Sequence, residues 1–175
     1  MKALAARVVS VLVLGGFSCS GQIVAPEPEA PATLATPTRA GFKGVADALQ
    51  PTCGTLDCHG QVGRNLRLYG ERGLRLAPLD TSGEGATTDA EYEATYLSVT
   101  GLEPEIMSLV IEDKGARPDR LSLIRKARGD ERHKGGSLMH AGDDLDRCLL
   151  SWLAGVVAAG NCQAVADAER PSATP

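Results

Sequence analysis

Apolar residues in this chain gather into short helical stripes separated by stretches rich in glycine and proline. Phe42, Val45, Ala46 and Leu49 recur at helical spacing, and Pro51 predicts a stop just before Cys53. Asp89 to Thr100 reads as a second helix, with Asp89 as its cap, Tyr92, Tyr96, Leu97 and Val99 facing inward, and Gly101 ending it. Pro104 to Ile111 continues as a third, carrying Ile106, Met107 and Val110. The strongest stripe, Leu145, Cys148, Leu149, Trp152 and Leu153, starts after Asp143 and Asp144, whose carboxylates suit the positive end of a helix dipole. Between the first two helices, Asn65 to Tyr69 fits a brief strand or an extended loop equally well. The pattern therefore predicts an all-α domain of short helices and long loops.

The two ends of the chain follow a different pattern. Lys2 and Arg7 precede the apolar run Val8 to Leu14, and small residues follow, which is the layout of an export signal. The run is too short to span a bilayer as an anchor. Cys19 stands where a bacterial lipoprotein would carry its lipid after cleavage, whereas a cut after Ser20 would release a soluble protein. Residues 20–41 are rich in Pro, Ala, Thr and Glu and predict an extended tether; residues 164–175 predict a disordered tail. The expected organisation is thus a signal over 1–19, the tether, one folded domain over 42–163 and the tail. An exported protein of the periplasm or outer surface, held to a membrane through Cys19, follows from it.

Composition and charge narrow the partners. Two Phe, three Tyr and one Trp are few for a core of this size, so a covalent support is expected, whether a bound cofactor or a disulfide. The chain has 18 basic and 22 acidic residues; without Lys2 and Arg7 the balance is 16 against 22, or −6, which argues against nucleic acid as a partner.

Candidate chemistry centres on Cys53-Gly54-Thr55-Leu56-Asp57-Cys58-His59. Covalent haem attachment ordinarily uses C-x-x-C-H, with two thioether bonds to the porphyrin and the adjacent His on the iron. Here four residues separate the thiols, so the intervening chain must bulge, and Gly54 and Asp57 suit such a turn. The arginines Arg64, Arg67, Arg72 and Arg75 that follow suit either haem propionates or a solvated loop face. A zinc site drawn from Cys53, Cys58, His59 and either His133 or His140 is the weaker use of these residues, because adjacent Cys58 and His59 fit a tetrahedral site poorly.

Cysteine bookkeeping bears on the choice. If the last helix ran to Ala159, Cys148 and Cys162 would lie out of bonding reach; if it ended near Gly155, the chain could fold back and close a disulfide. The second case gives every cysteine a fate: Cys19 to lipid or signal, Cys53 and Cys58 to haem, Cys148 to Cys162. A Cys53 to Cys58 disulfide would use the same residues equally well.

The run CGTLDCHG, the segment Ser122 to Ala127, His133-Lys134-Gly135-Gly136 and the final CLLSWLAG together resemble a small exported cytochrome c domain, over about residues 42–162. The resemblance implies a cytochrome c-like fold around haem c, Cys53 and Cys58 as anchors, His59 as the proximal iron ligand, and His133 as the distal ligand, with Met139 as the alternative. It implies electron transfer with redox partner proteins of the cell envelope rather than catalysis, although an open iron site would support peroxidase-like chemistry. The reading from another class is a cofactor-free, disulfide-stapled lipoprotein acting as a binding or structural module.

Overall fold

Helix α1 (Phe42–Cys53) forms on the expected stripe and buries Phe42, Val45, Ala46, Ala48 and Leu49. In the computed structural model, which describes residues 33–77 and 80–168, it runs through Pro51 instead of stopping there. Pro51 stands in the last turn, so the one ladder bond it removes, to the carbonyl of Asp47, lies near the helix end. The Gly54 N–H then closes the end by reaching the carbonyls of Leu49 and Gln50, both at 3.0 Å.

Five further helices follow among the described residues: α2 (Asp89–Thr100), α3 (Pro104–Glu112), α4 (Ser122–Arg128), α5 (Asp144–Leu153) and α6 (Ala159–Ala168). A 3-10 turn, Pro118–Arg120, precedes α4. No strand occurs among the described residues; the 65–69 stretch is a loop with one isolated bridge, Tyr69 to Leu74. The chain is all-α.

Helices α1, α5 and α6 pack on one another, and α2 lies against α1. The three aromatics Phe42, Tyr96 and Trp152 meet at the centre, with ring centroids 5.0 to 6.4 Å apart. These few aromatics thus do concentrated work, each exposed by 3% or less. Helix α5 ends at Leu153, the Ala158 N–H turns back onto the Ser151 hydroxyl at 2.8 Å, and α6 returns along α5. Cys148 and Cys162 are joined there as a disulfide, their Cα atoms 4.9 Å apart.

Several local expectations need correction. The cap of α2 is Thr88, not Asp89: its hydroxyl accepts from the Glu91 N–H while the Glu91 carboxylate accepts from the Thr88 N–H, a reciprocal capping box. Leu97 is 56% exposed, because Thr95 and Glu91 take the inward positions of that helix. The domain also starts earlier than Phe42. Within 33–41, Ala35 donates to the Ser108 hydroxyl, the Pro37 carbonyl accepts from the Tyr96 hydroxyl at 2.6 Å, and the Thr38 carbonyl accepts from the Trp152 indole at 2.8 Å. Two core aromatics need partners for their polar tips, and this segment supplies them. At the other end α6 carries the fold to Ala168, past the expected boundary at 163. The expected signal, Cys19, the first part of the tether and the last part of the tail lie outside the described residues. No helix among the described residues is long and apolar enough to cross a membrane.

Candidate functional site

The Cys-His heptad leaves the end of α1 as a tight exposed turn. Cys53 is the last residue of the helix and nearly buried, Leu56 and Asp57 point outward, and Cys58 and His59 are half-buried. The His59 N–H returns to the Cys53 carbonyl at 2.9 Å, and the Cys58 N–H bonds Thr55 at 2.9 Å. The four-residue spacer is therefore absorbed by the turn, as the bulge expectation requires. Gly54 needs no special φ, at −85°, but a Cβ there would crowd the Gln50 backbone at 2.9 Å. Gly60 and Gly73 are tighter still, since a Cβ on either would collide with the Gly54 carbonyl oxygen.

His59 is fixed by its Nδ1, 3.0 Å from the Leu66 carbonyl oxygen. That bond places the ring proton on Nδ1 and leaves the Nε2 lone pair for a ligand, the arrangement metal-binding histidines commonly use. Burial lowers the affinity of His59 for a second proton, the Leu66 carbonyl partly opposes this, and nearby His133 and Arg64 lower it further, so the ring is neutral near pH 7. His133 faces it with its ring nearly parallel, 11° off, and centroids 5.9 Å apart. The Nδ1 of His133 is buried without a hydrogen-bond partner, an atom that needs an explanation.

Two cavities adjoin this pair of rings, and both are lined by His59, Arg64, Lys126 and His133. The first, about 390 Å³, is lined largely by apolar residues, Cys53, Leu66, Leu102, Leu123, Ala127 and Leu138. The second, about 810 Å³, is polar and carries Cys58, Asp57, Arg132 and Lys134. Apolar walls that also carry Arg64 and Lys126 suit an apolar group bearing carboxylates. No three Cys, His, Asp or Glu side chains converge as a metal site among the described residues. Haem c asks for less: two imidazoles on iron and two thiols on the porphyrin edge. The residues present fit that group.

The two thiols differ from each other. Burial, helped by the neighbouring Cys58, pushes the Cys53 thiol up to about 12, so it stays protonated and is no thiolate nucleophile at neutral pH. The two are unlinked.

The remaining sequence candidates separate. Met139, the alternative ligand, is fully enclosed in the core and lines neither cavity; a thioether between helices packs as core. His140 is exposed, its N–H bonded to Asp143. Of the four arginines, Arg64 lines both cavities and holds the heptad turn from the Cys58 carbonyl at 2.9 Å. Arg75 is instead buried against Glu91 at 2.8 Å and organises the 80–86 loop through its carbonyls. Arg72 lines a separate polar cleft beside Asp47 and Gln50, and Arg67 donates to the Arg64 carbonyl.

The pattern left both α4 and α6 unassigned, and α4 supplies Ser122, Leu123, Lys126 and Ala127 to the cavity wall. Its signal was present: Leu121, Ile124 and Ala127 recur every third residue and are buried, and Gly129 ends the helix with φ 83°. No family model matches the chain, and no curated protein or solved structure matches it either.

Proposed function

We propose that the protein is a monohaem c-type cytochrome that carries single electrons in the cell envelope. One observation carries the reading: His59, tautomer set by Leu66, lies beside His133 where two cavities adjoin, Cys53 lining one of them and Cys58 the other. Cys53 and Cys58 would anchor haem c through thioethers, with His59 the proximal and His133 the distal ligand. Bound there, the group supplies a one-electron iron couple, held low in potential by two imidazoles relative to a thioether ligand.

The protein's own part is positioning and shielding. Leu66 orients His59, Leu66, Ala127 and Leu138 line the apolar cavity, and Arg64 on both cavities with Arg132 and Lys134 on the polar one offer cations to carboxylates. With an imidazole on each side, electron transfer is favoured over peroxide chemistry. Export, a lipid on Cys19, a position in the periplasm or on the outer surface, and redox proteins of the envelope as partners complete the proposal.

A second reading, the cofactor-free disulfide-stapled lipoprotein, draws on the closed core around Trp152, which is complete with side chains alone. One experiment separates the two. Expressed with its own signal in a host that attaches haem c, the cytochrome retains a reduced pyridine-haem band after denaturation. A colourless protein sinks the first reading.

A further inference from the structure

We infer that Asp146 is a positioning residue for His133, because one buried carboxylate ties together both ends of the loop that carries the imidazole. The inference rests on the haem reading for the role of His133, while the loop geometry stands apart from it.

The loop leaves α4 after Arg128 and rejoins the helical frame at Asp143, the cap of α5. At its start Arg128 donates from Nε at 2.9 Å and Nη2 at 2.6 Å to Oδ1 of Asp146. At its end the Gly142 N–H donates to Oδ2 of the same carboxylate at 2.7 Å. Asp146 is 2% exposed, so both oxygens are spent, one on each foot of the loop. The descending limb is fastened a second time: the N–H groups of Leu138 and Met139 both reach the Ala127 carbonyl, at 2.9 and 3.1 Å, and Met139 is sunk into the core.

His133 itself has little of its own to hold it. Its Nδ1 has no partner, and the backbone bond across the tip is local, from Gly136 to the His133 carbonyl at 3.1 Å. The ring's place opposite His59 is therefore inherited from the feet of the loop and from Glu131 on its ascending limb, which Arg125 and Lys126 hold. A buried ion pair broken on one side leaves an uncompensated charge, so loss of the Asp146 charge loosens both feet at once. Met139, read from sequence as a rival ligand, becomes part of this fastening.

The test uses the full chain and hydrogen exchange read by mass spectrometry. Asp146→Asn is expected to speed exchange across 130–137 by about tenfold or more, with α1 unchanged. Arg128→Met is expected to do the same and serves should Asp146→Asn fail to fold. Glu91→Gln, which breaks the other buried pair, leaves 130–137 unchanged. Equal exchange in that segment for wild type and Arg128→Met overturns the inference. In the haem-loaded protein, the near-infrared and low-temperature spectra of Asp146→Asn are expected to contain part of the His133→Ala signature. A loaded Asp146→Asn with the wild-type spectrum also overturns it, whereas a colourless preparation overturns the haem reading and leaves the exchange result to decide the clamp.

Discussion

Two cysteine pairs lie in two kinds of surroundings. Cys148 and Cys162 are separated by 14 positions, fully buried between α5 and α6, and bridged. Cys53 and Cys58 are much closer in the chain, yet they flank an exposed turn, open onto different cavities, and are unlinked. Proximity in sequence thus says little about which thiols pair. The packing of α5 on α6 gives the first pair its geometry, and the turn around Thr55 to Cys58 presents the second pair to two adjoining cavities. A buried thiol raised to about 12 is also unlike those of dithiol exchange enzymes, whose attacking cysteine is shifted downward.

The sharpest way to break this comparison is to remove the second pair. Cys53→Ser with Cys58→Ser is expected to abolish covalent haem altogether, so that acidified solvent extracts all colour; colour retained on the denatured chain would place the anchors elsewhere. Removing the first pair, Cys148→Ser with Cys162→Ser, acts on stability instead. Closing a loop of this length is worth about 3 kcal/mol, a loss read from the denaturant midpoint. An effect no larger than that of Cys58→Ser alone would erase the distinction between the bridged pair and the unlinked one.

A smaller effect tests the loop side of the molecule. Burial pushes the Glu91 carboxyl up, but hydrogen bonds from Arg75, Thr88 and Leu76 outweigh it and hold the group at about 2, below its usual 4.5. Its contribution is therefore full above about pH 4.5 and is lost as pH falls toward 2, on the order of 2 kcal/mol. Thermal melts across that window should fall for wild type and flatten for Glu91→Gln. The smallest expected effect is at the cap: Thr88→Ala costs about 1 kcal/mol and Asp89→Ala distinctly less, by the same melts.

Much of the helical frame was readable because burial enforces periodicity. Phe42 to Leu49 and Leu145 to Leu153 each show one apolar face, and each buries it. The misplaced cap and the outward Leu97 have a common cause. In α2 the inward face includes Glu91 and Thr95, polar residues whose burial depends on partners elsewhere: Arg75 for the first and the Tyr69 backbone for the second. A hydropathy pattern cannot see a buried polar residue whose partner is distant in sequence. The site divides similarly. The spacing of Cys53, Cys58 and His59 was plain in the sequence, whereas the choice between His133 and Met139 was not, since both sit in one loop and differ only in which way that loop is fastened.

The sequence by itself determined the all-α class, the two strongest helices and the thiols and imidazole of the heptad, because these follow from local spacing. Only the tertiary structure decided that residues 33–41 belong to the fold, that Arg75 pairs with Glu91 rather than facing the cavity, and that His133 instead of Met139 stands opposite His59. Each of those depends on contacts between residues far apart in the chain, where packing and the pairing of buried polar groups choose among options that local pattern leaves equal.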